Sequence, residues 1–171
     1  MPFKNLLSSL PSVKRSLSER KYKKNSRIIK VSKKYDKEYF DGTREFGYGG
    51  YKYDGRWKPV AKDIISFFNL KKKDKILDIG CAKGFLVKDL LDEGIDAFGV
   101  DISEYAIKNC HPDVIGRVSL ANAKKLPFPS NSFDSVISIN CIHNLKLLEC
   151  KKSIKEISRV AKGNKNFIQV D

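Results

Sequence analysis

The sequence predicts an α/β protein built on a parallel, doubly wound sheet, and three observations carry that prediction. Residues 75–101, KILDIGCAKGFLVKDLLDEGIDAFGVD, read as strand, glycine turn, helix, strand and acidic stop. The short run Ile76, Leu77 and Ile79 has the length and β-branching of a strand buried on both faces. Downstream, strand-like and helix-like segments keep alternating, as parallel strands joined by crossover helices must.

Ahead of this unit the chain changes character twice. Residues 1–35 carry eleven Lys or Arg against one acid, Glu19, so +10 of the net +14 lies in this segment. It reads as a basic N-terminal arm, a solvated extension whose scattered apolar residues Phe3, Leu6, Leu7 and Leu10 form no long amphipathic face. Residues 36–57 are instead crowded with glycine and with rings at Phe40, Phe46, Tyr48, Tyr51, Tyr53 and Trp57. That composition predicts an ordered, irregular loop, either a strap on the domain edge or a lid over a pocket. Residues 58–171 are assigned to the core.

Within the core, Pro59 opens a helix expected over 59–69, with Val60, Ile64, Ile65, Phe67 and Phe68 on its buried face. The glycine turn leads into a helix from Phe85, and a second strand covers 95–100. Ser103 as N-cap with Glu104 inside gives a helix to about Asn109, stopped by Pro112. A third strand is expected over 114–121, a proline-rich loop after it, and a fourth strand over 133–139. A long helix over 145–162, with Leu148, Ile154, Ile157 and Val160 inward and Gly163 as its stop, precedes a fifth strand from 166.

Composition excludes several classes. Cys81, Cys110, Cys141 and Cys150 form no C-x-x-C pair and have no histidine at ligand spacing, which argues against a zinc site and for reduced thiols in a cytoplasmic protein. No apolar run approaches the roughly 20 residues that span a bilayer. The excess positive charge sits in the arm, and the domain shows no basic stripe, so nucleic acid is a possible partner but not the favoured one.

Gly80 and Gly84 permit a tight turn with close backbone approach, and Asp101 lies about 20 residues further on, where a ribose presents its hydroxyls. Such a unit holds the adenosine part of a cofactor. A dinucleotide turn would be G-x-G-x-x-G; here the corresponding positions hold Gly80, Ala82 and Phe85, and Phe85 at the close-packing position speaks against NAD.

The pattern DIGCAKG at 78–84 resembles motif I of class I S-adenosylmethionine-dependent methyltransferases, and GVDISEYAI at 99–107 resembles their second motif. NAKKLPFPSNSFDSVIS at 122–138 is similar to the stretch written D-A-x-x-L-P-F-x-D-x-S-F-D in many members, and SINCIHNL at 138–145 to the segment after their fourth strand. The resemblance implies a Rossmann-like sheet in the order 3-2-1-4-5, with helices on both faces and the last two of the usual seven strands absent. It implies S-adenosylmethionine as cofactor, with Asp78 ordering the turn toward the methionine amino group and Gly80, Cys81, Ala82 and Gly84 forming the turn itself. Asp101 would take the ribose hydroxyls, Ile102 would pack on the adenine, and Asn122, where the family usually has Asp, would accept from the adenine amino group beside Ala123. Asn140 would line the donor and acceptor pockets. LPSVKRSLSER, FDGTREFGYGGYKYDGRW and DIGCAKGFL further resemble a bacterial subgroup, some of it associated with surface-polysaccharide biosynthesis.

The expected function is methyl transfer to a small-molecule acceptor, such as a sugar or sugar-linked metabolite. His143, after the fourth strand, is the candidate general base for a hydroxyl acceptor. Lys83 at the helix start reads as solvated ahead of the alternative that it neutralises the donor's carboxylate, and the tyrosines and Trp57 of the strap read equally as packing or as rings around a sulfonium. Two other classes remain open: an RNA methyltransferase tethered by the arm, and a non-catalytic cofactor-binding module. The fifth strand would form an open edge through which copies self-associate.

Overall fold

The computed structural model describes residues 5–11, 25–163 and 166–169. Five parallel strands form one sheet in the order β3-β2-β1-β4-β5. They are β1 (Lys75–Ile79), β2 (Asp96–Asp101), β3 (Val118–Leu120), β4 (Ser135–Ile139) and β5 (Asn166–Gln169). The order predicted by resemblance is the order found.

Alternation along β1 divides the core. Ile76 faces one layer with Ala97 and Ile137, packed by Val60, Ile64 and Phe68 of α3 (Lys58–Phe68) and Leu86, Val87 and Leu90 of α4 (Phe85–Asp92). Leu77 and Ile79 face the opposite layer with Val100 and Val136, closed by Ile157 and Val160 of α6 (Leu147–Val160). Successive strand side chains point to opposite faces, so a short apolar run serves both layers. The earlier helices are α1 (Ser26–Ser32) and α2 (Lys37–Asp41); α5 (Glu104–Lys108) follows β2, its Ser103 N-cap accepting from the Ala106 amide at 3.0 Å.

Three expectations need correction. The third strand is shorter than 114–121: Pro112–Val114 is a 3-10 turn, Ile115 is 74% exposed and Gly116 takes φ +80°. Proline there starts a turn rather than only ending a helix, because the His111 side chain accepts from the Asp113 amide. On α6, Ile157 and Val160 point inward, but Leu148 is 73% and Ile154 42% exposed. The stripe against the sheet runs through Ser153, which is wholly buried and donates its hydroxyl to the Glu149 carbonyl at 3.0 Å.

The third correction concerns the arm. Residues 5–11 are not a solvated extension: Leu6 is 0% and Leu7 9% exposed, both within the layer of α3 and α4. The Leu6 amide donates to Gln169 Oε1 at 3.0 Å, tying this turn to β5, and Ser9 donates to Asp63. The remaining residues of the arm before Asn25 lie outside the described residues. None of the described helices is long and apolar enough to cross a membrane.

Leu6→Ala tests this placement. Deleting a fully buried leucine side chain should cost about 2–5 kcal/mol, read as a lower denaturation midpoint in urea. A loss below about 0.5 kcal/mol, the size of an ordinary surface substitution, would show that the segment does not belong to the core.

Candidate functional site

The site forms where β1, β2 and β4 end. Gly80 takes φ +86°, and a Cβ there would stand 2.5 Å from the Cys141 Cβ, so this turn needs both the freedom and the size of glycine. The Gly80 and Cys81 amides both donate to the Val100 carbonyl, at 2.8 and 3.1 Å, drawing the turn onto the end of β2. Ala82, also at positive φ, then donates its amide to Asp101 Oδ2 at 2.8 Å, and the Ser103 amide donates to Oδ1 at 2.8 Å. Gly84, in the left-handed region, caps α4.

Asp101 is thus held by the backbone of the glycine turn. Burial pushes its carboxyl above the ordinary range, opposed by the amides of Ser103, Ala82 and Ile102. Asp78 is different: it is 5% exposed, and no donor among the described residues satisfies its carboxylate. Burial, and then the charge of Asp101, raise it to about 7. Two carboxylates at adjoining strand ends, one lacking a partner, make a site that favours a cation. Cys141, at the end of β4, is pushed up to about 12 by burial and then by Asp101 and Asp78, and the Cys81 thiol is raised well above its ordinary value by burial. Both are neutral thiols near neutral pH.

Of the other predicted residues, Ile102 is 58% exposed beside Asp101. Ala123 packs at the edge of the α6 layer. Asn122 Oδ1 accepts from the Lys124 amide at 3.0 Å, which leaves the amide oxygen one further lone pair. Asn140 sits at φ +51° and donates its backbone amide to the Gln169 carbonyl at 2.9 Å. His143 is exposed on a 3-10 turn, Ile142–Asn144, that follows β4.

Sequence reasoning offered the aromatic segment as a strap or a lid, Tyr48 among its rings, but did not single out Tyr35 and Tyr39. Tyr35, Tyr39 and Tyr48 all have their hydroxyls pushed up by burial and then by charges that include Asp101 and Cys141, with Asp78 acting as well on Tyr48. All three phenols are held above their ordinary value, and Tyr35 and Tyr39 pack around Ala82 of the glycine turn. Their rings interlock: Tyr35 lies edge-on to Tyr39 at 5.0 Å, and Tyr39 to Tyr48 at 5.4 Å. The Ser103 hydroxyl donates to the Tyr35 carbonyl. Lys83 is also corrected, since it is 7% exposed and paired with Asp41 at 2.7 Å rather than solvated. The available signal was that a lysine inside a glycine turn, wedged between a buried strand and an apolar helix, has little solvent to reach.

The comparisons agree with this geometry. The chain is 32% identical over 127 residues to the demethylmenaquinone methyltransferase of Symbiobacterium thermophilum, covering 67% of this chain and 49% of that protein. It is 35% identical over 94 residues to the arginine-hydroxylase NDUFAF5, mitochondrial, of Rattus norvegicus, covering 54% and 27%. Among solved structures, a putative methyltransferase from an antibiotic biosynthesis pathway of Anabaena variabilis superposes with a TM-score of 0.56 at 29% identity, over 65% of this chain and 44% of that one. The chain spans about half the length, or less, of these curated relatives. Residues 77–168 match the family described as "Methyltransferase domain", and with that match, the sheet order and the turn at Asp78–Gly84, the chain belongs to the class I S-adenosylmethionine-dependent methyltransferase family.

Proposed function

We propose that this chain transfers a methyl group from S-adenosylmethionine to a neutral small molecule. The observation that carries the reading is Asp78, a buried carboxylate without a described donor, one strand away from Asp101. An ammonium group supplies the partner that Asp78 lacks. Asp101 keeps lone pairs for vicinal hydroxyls, and the neutral tyrosine rings suit a sulfonium. When bound, the cofactor supplies an electrophilic methyl on a good leaving group. The residues of the chain have only to hold, orient and shield the reactants, which is where proximity contributes most.

The same field argues for a neutral acceptor. Asp78 and Asp101 repel carboxylates and phosphates, whereas the phenols of Tyr35, Tyr39 and Tyr48 offer ring faces and hydrogen bonds to hydroxyls or amines. A sugar or sugar-linked metabolite belongs to this class, and a matched relative named for menaquinone supports a small organic acceptor. For a hydroxyl acceptor, His143 at the rim is the side chain proposed to take the proton.

Calorimetric titration with S-adenosylhomocysteine tests the donor assignment. Wild type should bind, and Asp101→Asn should bind at least tenfold more weakly, about 1.4 kcal/mol, with its circular dichroism unchanged. A folded wild type giving no heat at high micromolar ligand would overturn the reading.

Asp78 makes a separate prediction. Its raised folded value means that the native state holds a proton which the unfolded chain has released, so stability falls with pH between the ordinary carboxylate range and about 7. Thermal melts of the ligand-free protein should therefore show a lower midpoint at pH 8 than at pH 5, and Asp78→Asn should flatten that slope. Binding of an ammonium-bearing ligand near pH 6.5 should release a proton, seen as a heat that varies with the buffer's ionisation enthalpy. An unchanged slope and an equal release in Asp78→Asn would show that Asp78 is not the group.

A further inference from the structure

Asp41 lies in the aromatic segment, outside the residues assigned to the cofactor, yet its carboxylate is held by a lysine, a phenol and a backbone amide. Both its oxygens accept from Lys83 Nζ, at 2.8 and 2.7 Å. Tyr105 donates its hydroxyl to Oδ2 at 2.7 Å, and the Tyr51 amide donates to Oδ1 at 3.2 Å. Lys83 Nζ donates further to the Tyr51 carbonyl at 3.1 Å and lies 5.7 Å from the Tyr105 ring centre. Three otherwise separate pieces meet on one ion pair: the glycine turn through Lys83, the helix after Asp101 through Tyr105, and the aromatic segment through Asp41 and Tyr51.

The rings packed around Ala82 of the glycine turn, Phe40, Tyr35, Tyr39 and Tyr51 among them, hang from this knot. Phe40, next to Asp41 and 2% exposed, stacks on Tyr48 at 5.7 Å and on Tyr105 at 6.3 Å. Tyr48 contacts Tyr51 at 4.2 Å, and Tyr51 stacks on Phe85, the first residue of α4, at 4.7 Å. The burial of Asp41 alone would raise its carboxyl, but the hydrogen bonds from Lys83, Tyr105 and the Tyr51 amide outweigh that and hold it below the ordinary range. It is charged throughout the neutral range.

We propose that the Asp41–Lys83 pair is a clamp: it fastens the tyrosine roof to the glycine turn and so sets how long the bound cofactor is retained. Lys83 is then a positioning residue whose ammonium is committed to Asp41, not a ligand of the cofactor's carboxylate. The inference rests on the proposed cofactor site, and the clamp acts on that site through Tyr35, Tyr39 and Tyr48.

The test uses S-adenosylhomocysteine, with dissociation rates from stopped-flow displacement and stability from urea denaturation. Asp41→Asn leaves the buried Lys83 ammonium without its partner and Lys83→Met leaves a partly buried carboxylate without its own, so both should lose stability, the first more, and release the ligand at least tenfold faster. The double variant removes both charges. Its stability should return toward wild type, because a neutral pair of similar shape leaves no charge uncompensated, while its dissociation should stay at least tenfold fast and amides 42–51 should exchange hydrogen faster than in wild type. Lys83→Arg, which can still pair, should keep slow release. A pair of merely structural importance would instead restore stability and slow release together in the double variant, and that result overturns the clamp. Wild-type dissociation rates in the single variants overturn it as well, while leaving the cofactor site standing. No binding by folded wild type overturns the cofactor site and the clamp together.

Discussion

Two carboxylates held at neighbouring strand ends set the terms for everything around them. Asp78 pairs in register with Gly99, and Asp101 lies two residues past Gly99, so the parallel ladder itself brings them close. Such an arrangement is costly in an apolar core unless a cation or hydrogen-bond donors offset it. Backbone amides offset it for Asp101; for Asp78 no described group does. The fold therefore keeps a site whose electrostatics are incomplete until a ligand arrives, which is what one expects where function, rather than stability, has fixed the residues.

The core that bears this cost is conventional in its physics. Buried aliphatic side chains fill two layers on either side of the sheet, and the N-terminal turn adds Leu6 and Leu7 to one of them. Gln169 of β5 and the residue 5–11 turn are bonded to each other, so the strand at that edge is steadied by the far end of the chain. Contacts of such high sequence separation, 163 and 164 residues, close a very long loop and are entropically costly until the sheet has assembled.

How much of this was readable depends on whether a signal is local. Residues 75–101 were legible because strand, turn, helix and acid are specified by neighbours within one unit, and motif spacing separated two kinds of cofactor at Phe85. The face of α6 was not. Helical periodicity groups Leu148 and Ile154 with Ile157 as easily as it groups Ser153, and only the position of the sheet decides which stripe is covered. The third strand shortened for a similar reason: Gly116 at positive φ breaks an apolar run that composition alone would extend. Asp41 and Lys83 are 42 residues apart, and no local pattern reports that an acid in a glycine-rich segment will meet a lysine in a turn.

That last pairing explains why the roof is built as it is. The segment that follows α2, residues 42–57, contains turns but no regular strand or helix of its own, and glycines at 49, 50 and 55 take positive φ. Segments without regular structure open at lower cost than a central strand. Attachment by rings alone would be adaptable but poorly directed, since aromatic contacts tolerate a range of angles. An ion pair whose carboxylate also takes a phenol and an amide is far more demanding in geometry. One fixed point at Asp41, with a run of rings leading from it, holds Tyr48 and Tyr51 in a defined arrangement against Phe85.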